Sequence, residues 1–259
     1  MRRLLVVVAA LALLLTSALP ALAITYGEPD EGRHPNVGEM VIAVNGGLFG
    51  ICSGTLIAPD VFLTAAHCTA FAESLGLTEA FVTFDEAFDP DTSTLLSGTM
   101  VTNPAFSQRQ SDTGDIAVIL LDAPATGLTP AELPTLGLLD QTNQKNGLKG
   151  QTFTAVGYGV HEVQVGGGPP VFPGGDTRRV SSSSFSALNK TWLRLSQNPS
   201  TGDSGTCFGD SGGPNFLGDS DLIASITITG DAMCRSTNVT YRLDTTSARG
   251  FLDDYVVLP

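Results

Sequence analysis

Residues 207–214 read CFGDSGGP and place Ser211 between an acid and a pair of glycines. Glycine adopts backbone conformations that a Cβ forbids, so such a turn can point successive N–H groups at one spot beside the serine hydroxyl. Fixed donors of this kind stabilise a developing oxyanion, which is often the largest single contribution to catalysis. The tetrapeptide GDSG also occurs at 202–205, and glycine-rich turns with Asp and Ser are common in loops. Partners elsewhere in the chain must therefore distinguish Ser211 from Ser204.

A serine hydroxyl becomes a nucleophile only beside a base, and that base is oriented by a third group. The chain has three histidines, and one of them, His67, lies in the block TAAHC after an apolar run. An acid, Asp115, opens the apolar run DIAVILL. The order along the sequence is therefore His67, Asp115, Ser211.

These three blocks resemble those of secreted serine peptidases of the trypsin/chymotrypsin family, and the resemblance runs from about residue 24 to the C-terminus. It implies that His67 is the general base and acid, that Asp115 orients it, and that Ser211 attacks the substrate. Ser204 lacks the Gly-Gly-Pro that follows Ser211, and we interpret it as a decoy.

Composition favours an all-β fold. Glycine is abundant at 29 residues, charged residues make up only 15%, and apolar residues at helical spacing are scarce. Short apolar runs alternate with turn residues, among them Asn45-Gly46-Gly47, which predicts a hairpin. Residues 222–229 alternate in polarity and predict a half-buried strand.

The family resemblance implies two antiparallel six-stranded β-barrels with the active site in the cleft between them. We expect an N-terminal barrel at 24–125, which carries the histidine and the aspartate, and a C-terminal barrel at 126–259, which carries the serine. Apolar residues at helical spacing predict a C-terminal helix at about 247–257.

Residues 1–23 have the pattern of a secretory signal peptide: a basic start, an apolar stretch from Leu4 to Leu19, and the small-x-small site ALA at 21–23. An uncleaved membrane anchor is the alternative. We expect the protein to be secreted and extracellular, without a membrane association after cleavage, since no later segment is long and apolar enough to span a bilayer.

Four cysteines allow three disulfide pairings, and export permits disulfides. We expect Cys52–Cys68 and Cys207–Cys234, because the first would tether the histidine loop and the second the serine loop; the family resemblance implies the same pairs. Zinc is the alternative, but no C-x-x-C spacing occurs, so we expect no metal there. A calcium ion in the acidic loop at 85–91 is a further alternative, although its spacing matches no ligand pattern and a solvated loop is favoured. We expect no cofactor.

Cleavage after residue 23 would leave Ile24 as the new N-terminus. The resemblance implies that the freed ammonium pairs with the acid just before the nucleophile, here Asp210. A buried carboxylate is costly unless a cation compensates it, which gives the pairing its physical reason. The alternative is that Ile24 is merely the first ordered residue of a strand.

The resemblance also indicates the oxyanion donors and the specificity pocket. The N–H groups of Gly209 and Ser211 would hold the oxyanion. The pocket floor would lie at Gly205, where an aspartate would select Arg or Lys. Asp203 could supply that charge if the loop were rearranged. We expect a pocket for small or medium neutral residues, formed by Gly205, Thr206, Thr227, Thr229 and Val239.

The sequence thus predicts a serine endopeptidase that acts on protein or peptide substrates, as a monomer, with a cleft that a proteinaceous inhibitor could also occupy. The net charge of −13 argues against a nucleic-acid partner, since phosphate binding needs clustered Lys and Arg. A catalytically silent homologue acting as a secreted binding protein is one alternative. An esterase or lipase is another, but it would have a histidine after the serine, and the sequence has none after Ser211.

Overall fold

The computed structural model describes residues 24–259, and these form thirteen β-strands, three α-helices and one 3₁₀ turn. The predicted signal peptide at 1–23 lies outside the described residues. Within residues 24–259, no helix combines the length and the hydropathy that crossing a bilayer requires.

Six strands of the first half close into an antiparallel barrel in the order β2-β3-β4-β7-β6-β5. They are β2 (Val37–Val44), β3 (Gly47–Ala58), β4 (Val61–Thr64), β5 (Glu79–Thr83), β6 (Leu96–Thr102) and β7 (Ala117–Leu121). The predicted hairpin joins β2 to β3: Asn45 and Gly46 have φ of 51° and 81°, as a two-residue loop between twisted strands requires. We call this the first barrel.

A second barrel follows, with β8 (Thr152–Gly157), β9 (Arg179–Leu188), β10 (Trp192–Ser196), β11 (Pro214–Leu217), β12 (Ile223–Gly230) and β13 (Thr237–Arg242). The order β9-β10-β13-β12-β11-β8 is closed by pairing of β8 with β9. The short strand β1 (Glu28–Pro29) pairs with the start of β9, so the N-terminal segment lies on the second barrel. The predicted all-β fold of two six-stranded barrels is confirmed.

A single apolar cluster extends through both barrels. It includes Met40 and Phe62 of the first barrel and Val156 and Tyr241 of the second, all almost fully buried. Since burial of apolar area is the main favourable term in folding, this shared cluster holds the barrels together and fixes the cleft between them.

Three short helices complete the fold: α1 (Ala66–Ser74), α2 (Leu138–Asn143) and α3 (Thr246–Leu252). The hydroxyl of Thr245 accepts the N–H of Ala248 and caps the start of α3. The predicted helix to residue 257 was too long, because α3 ends at Leu252. Two aspartates follow, and negative charge at a helix C-terminus opposes the helix dipole.

Candidate active site

His67 lies where a strand of the first barrel turns into a helix. β4 ends at Thr64 and α1 begins at Ala66, which places His67 in the first helical turn. The next residue, Cys68, forms a disulfide with Cys52 of β3, one of the two predicted pairs. The histidine is therefore anchored to the barrel wall by a covalent bond at its neighbour.

Asp115 lies two residues before β7 and is buried, at 4% exposure. Its Oδ1 accepts the backbone N–H of His67 at 2.9 Å, and its Oδ2 is 2.9 Å from His67 Nδ1. A carboxylate only accepts hydrogen bonds, so Nδ1 carries the proton and Nε2 is left as the basic nitrogen. The structure thus brings Asp115 and His67 together in the geometry that an oriented base requires.

Ser211 belongs to the second barrel, but its backbone is held by the first. Its carbonyl oxygen accepts the N–H of Ser53, the residue after Cys52, at 2.8 Å. That carbonyl oxygen also lies 3.9 Å from the sulfur of Cys68, the residue after His67. Within the described chain, no direct hydrogen bond joins the Ser211 hydroxyl to the His67 ring. Such bonds are often long in unliganded enzymes and shorten when substrate binds.

The loop around Ser211 leaves the N–H groups of Phe208, Gly209 and Ser211 without an acceptor in the described chain. Among residues 24–259, the N–H groups of Gly209 and Ser211 donate to no protein atom, whereas those of Asp210 and Gly212 are bonded to Cys207 and Thr227. Gly209 has a φ of 96°, and a Cβ there would lie 2.9 Å from Gly159. The glycine is needed for this conformation, which keeps the two amides available for an oxyanion.

Ser53 connects the two barrels at this loop and was not singled out from the sequence. Its hydroxyl donates to the carbonyl of Gly209 at 2.9 Å and accepts the N–H of Tyr158 at 2.9 Å. An ordinary serine in a strand gives no sequence signal for such a role, since the partners lie more than a hundred residues away.

Asp210, the residue before Ser211, is fully buried. Its two carboxylate oxygens accept the N–H groups of Gly159 at 2.8 Å and Cys207 at 2.7 Å. Burial nevertheless raises the pKa of Asp210 to about 7. Ile24 is also buried, and the next residue pairs with Gly205, but Ile24 itself forms no hydrogen bond with Asp210 in the described chain.

A cavity of about 210 Å³ opens beside Ser211. Its lining includes three of the predicted pocket residues, Thr206, Thr227 and Thr229. It also includes Cys207, which is joined to Cys234 by the second predicted disulfide. We call it the threonine cavity.

Gly205 and Val239, also predicted for this pocket, do not line the threonine cavity. The reason at Gly205 is Gln197, a fully buried side chain whose Cβ and Oε1 occupy the space beside the glycine. Gln197 Oε1 accepts the N–H of Thr206 at 2.9 Å. The amide therefore fills the place where a deeper pocket would have its floor.

One acid lines the threonine cavity, but it is not Asp203, the residue that a rearranged loop could have placed there. The Asp203 carboxylate is bonded to the hydroxyls of Ser184, Ser196 and Thr201 outside that cavity. The lining acid is Asp231, whose Oδ1 accepts backbone N–H groups in the segment 235–237. These N–H bonds lower its pKa despite partial burial, which would raise it.

Ser204 and the acidic loop both have local roles. The Ser204 hydroxyl exchanges hydrogen bonds with the backbone of Ser182 in β9. In the loop at 85–91, Asp89 accepts the N–H of Asp91 at 2.8 Å, and Asp85 accepts that of Thr94 at 2.8 Å. The single group of potential metal ligands in the described chain is formed by His67 with the disulfide Cys52–Cys68, whose sulfurs are already bonded to each other.

Comparison with known proteins gives a family and a fold. The family model described as Trypsin matches residues 30–248. The solved structure of HL collagenase is similar with a TM-score of 0.64 and 16% sequence identity, covering 91% of this chain and 97% of that chain. Neuropsin, a serine protease from mouse brain, is similar with a TM-score of 0.62 and 19% sequence identity, covering 85% of this chain and 95% of that chain. A search of curated proteins gave no match.

Proposed function

Since the chain belongs to the trypsin family of serine endopeptidases, we propose that His67, Asp115 and Ser211 form its catalytic triad. The observation that carries the proposal is the double contact of Asp115 with His67, at 2.9 Å to both the backbone N–H and Nδ1. The unpartnered N–H groups of Gly209 and Ser211 supply the second requirement, a site for an oxyanion.

The proposed reaction is acyl transfer to Ser211 and then to water. His67 Nε2 removes the hydroxyl proton as Ser211 Oγ attacks the carbonyl carbon, and the oxyanion is bound by the two free amides. The proton then moves to the leaving amine, which departs and leaves an acyl-enzyme. A water molecule repeats the sequence, with His67 again as base, and the serine hydroxyl is restored.

Covalent labelling tests the nucleophile. A fluorophosphonate probe should label the secreted protein at Ser211, and Ser211→Ala should abolish labelling. Ser204→Ala is the matched control, because it removes the serine of the other GDSG and should leave labelling intact. An unlabelled wild-type protein, or labelling that survives in Ser211→Ala, would contradict the proposal.

We propose that the threonine cavity accepts a small or medium neutral residue before the cut. The supporting observations are its modest volume, the amide of Gln197 that fills the space beside Gly205, and a carboxylate, Asp231, that is already bonded to three backbone N–H groups. Profiling with peptides that differ only at this residue tests the proposal. Alanine, valine or threonine should be preferred, and a strong preference for Arg or Lys would contradict it.

We further propose that residues 1–23 are a signal peptide whose removal yields a secreted monomer that begins at Ile24. The new ammonium would then pair with Asp210. This pairing is supported by the position of the N-terminal segment, where Thr25 forms a bridge with Gly205, and by the burial of Asp210 without a cation among the described residues. We also propose that the boundary between the N-terminal barrel and the C-terminal barrel lies between residues 125 and 126.

A further inference from the structure

A second cavity, of about 240 Å³, borders the same loop as the threonine cavity. Its walls come from Phe208 and Gly209 of the loop, from Glu39 and Gly50 of the first barrel, and from Asp176. Two carboxylates therefore line a hollow that shares a wall with the proposed oxyanion site. We call it the acidic cavity.

Glu39 reaches this cavity from the interior of the barrel. It is 3% exposed, and its Oε2 has no hydrogen-bond partner within the described residues. The side chain passes over Gly50, where any Cβ would overlap Glu39 Oε1. The Asp176 carboxylate lies beside it at the exposed mouth, since the same Cβ on Gly50 would lie 3.0 Å from Asp176 Oδ1.

The pair holds negative charge that nothing nearby neutralises. Burial, followed by the neighbouring Asp176 and then Asp210, raises the pKa of Glu39 to about 10. Neither forms an ion pair with another residue in 24–259. Arg178, which contacts the nearby Tyr158, pairs instead with Asp30 at 2.9 Å. A buried acid with an unused oxygen is costly, and a cation would offset that cost.

The position of the acidic cavity relative to the scissile bond follows from the loop. The threonine cavity, beside Ser211, takes the residue before the cut, and the Gly209 N–H faces the scissile carbonyl in the proposed mechanism. A cavity on the Gly209 side of the loop is therefore reached by residues after the cut. An extended peptide advances about 3.3 Å per residue, so the first three of these residues span about 10 Å beyond the scissile bond.

We propose that the acidic cavity binds the side chain of an arginine or lysine of the substrate, within three residues after the scissile bond. The inference deepens the proposed peptidase function and rests on it. The cation would bond to the carboxyl groups of Glu39 and Asp176, and a guanidinium would fit the two groups best. The ring of Phe208, 57% exposed, would cover the aliphatic part of the side chain.

Internally quenched peptides test this assignment with the secreted enzyme. The peptides have one preferred residue before the cut and carry Arg, Lys, Gln or Glu at the first, second or third position after it. At one of these positions, we expect kcat/KM for Arg or Lys to exceed that for Gln by about tenfold. Glu should be poorer than Gln.

Two variants connect the preference to the cavity. Glu39→Gln keeps the shape of the protonated side chain. Asp176→Asn keeps the backbone conformation at residue 176, because asparagine tolerates the φ of 58° found there. Each should bring the Arg-to-Gln ratio close to one. Glu79→Gln, the same chemical change at the exposed end of β5, should keep the wild-type ratio.

The outcomes distinguish failure of this inference from failure of the proposed peptidase function. Equal kcat/KM for Arg and Gln peptides at all three positions would overturn the inference alone, provided that the Gln peptides are cleaved and Ser211 is labelled. A ratio that survives in both Glu39→Gln and Asp176→Asn would also overturn it. If no peptide is cleaved and no label binds, the proposed function fails, and the inference fails with it.

Discussion

The proposed removal of the chain ahead of Ile24 would change the surroundings of the Asp210 carboxylate. Before cleavage, the nitrogen of Ile24 is an uncharged amide, and Asp210 relies on two backbone N–H groups. After cleavage, the nitrogen becomes an ammonium that could pair with the carboxylate. The two forms should therefore differ in how their stability depends on pH.

The sign follows from the raised pKa. Asp210 changes from a pKa of 3.8 to about 7 on folding, so the folded state binds the proton more tightly than the unfolded state. Asp210 then makes the folded protein lose stability as pH rises from about 4 to about 7, and above that range the loss is complete. The full loss would be at most about 4 kcal/mol.

Thermal unfolding of two forms checks this prediction. Between pH 5 and pH 8, the Tm of a chain with Gly-Ser placed before Ile24 should fall. This fall should exceed the Tm change of a chain with a free Ile24 by roughly 5 °C or more. Asp210→Asn in the extended chain should remove the difference. The same pH profile for both chains would contradict pairing of the ammonium with Asp210.

The residues of the candidate triad could be named from sequence because their chemistry demands particular side chains in particular neighbourhoods. His67, Asp115 and Ser211 each lie in a block that combines the reactive residue with a strand or a glycine turn. Ser53 and Gln197 offered no such signal. Their roles depend on which loop packs against them, which is a property of the folded barrels.

At the scale of single elements, β12 differs from its predicted form. Its alternating residues predicted one solvent-exposed face, but the five residues Ile223–Thr227 are all buried. The polar face is satisfied internally: the hydroxyl of Ser225 is 2.7 Å from that of Thr240, and the hydroxyl of Thr227 accepts from Asn215 at 3.1 Å. The polar residues of β12 therefore form hydrogen bonds, but in the folded barrel their partners are protein groups and not water.

Gln197 directly follows β10, fills the space beside Gly205 and bonds to Asp231 of the threonine cavity, which gives a prediction for the end of that element. Gln197→Ala should deepen the cavity and shift preference before the cut toward larger residues. It should also cost about 1–3 kcal/mol of unfolding free energy, because the N–H of Thr206 loses its acceptor. Peptide profiling and urea denaturation measure the two effects. Unchanged specificity in a folded variant would show that Gln197 does not limit the cavity.

At the scale of the whole molecule, the proposed catalytic groups are divided between two barrels. His67 and Asp115 come from the first barrel and Ser211 from the second, so the proposed triad depends on the barrel interface. Ser53 carries part of that dependence, through hydrogen bonds to Gly209 and Tyr158.

Ser53→Ala should leave the Gly209 carbonyl and the Tyr158 N–H without their partner. We expect a loss of about 1–3 kcal/mol in unfolding free energy, together with a lower kcat, since the Gly209 peptide belongs to the proposed oxyanion site. Ser181→Ala is the matched control: its buried hydroxyl has no hydrogen-bond partner in the described chain, so its removal should cost little. Equal effects of the two substitutions on urea denaturation and kcat would contradict this role.

The two disulfides also have a consequence at this scale. Cys52–Cys68 lies within the first barrel and Cys207–Cys234 within the second, so in residues 24–259 the backbone alone links the barrels covalently. A single nick in the crossing segment after β7 would leave a working enzyme made of two fragments. Denaturant without reductant would then part the fragments, and recovery of activity on dilution would become a bimolecular process that slows as the protein concentration falls.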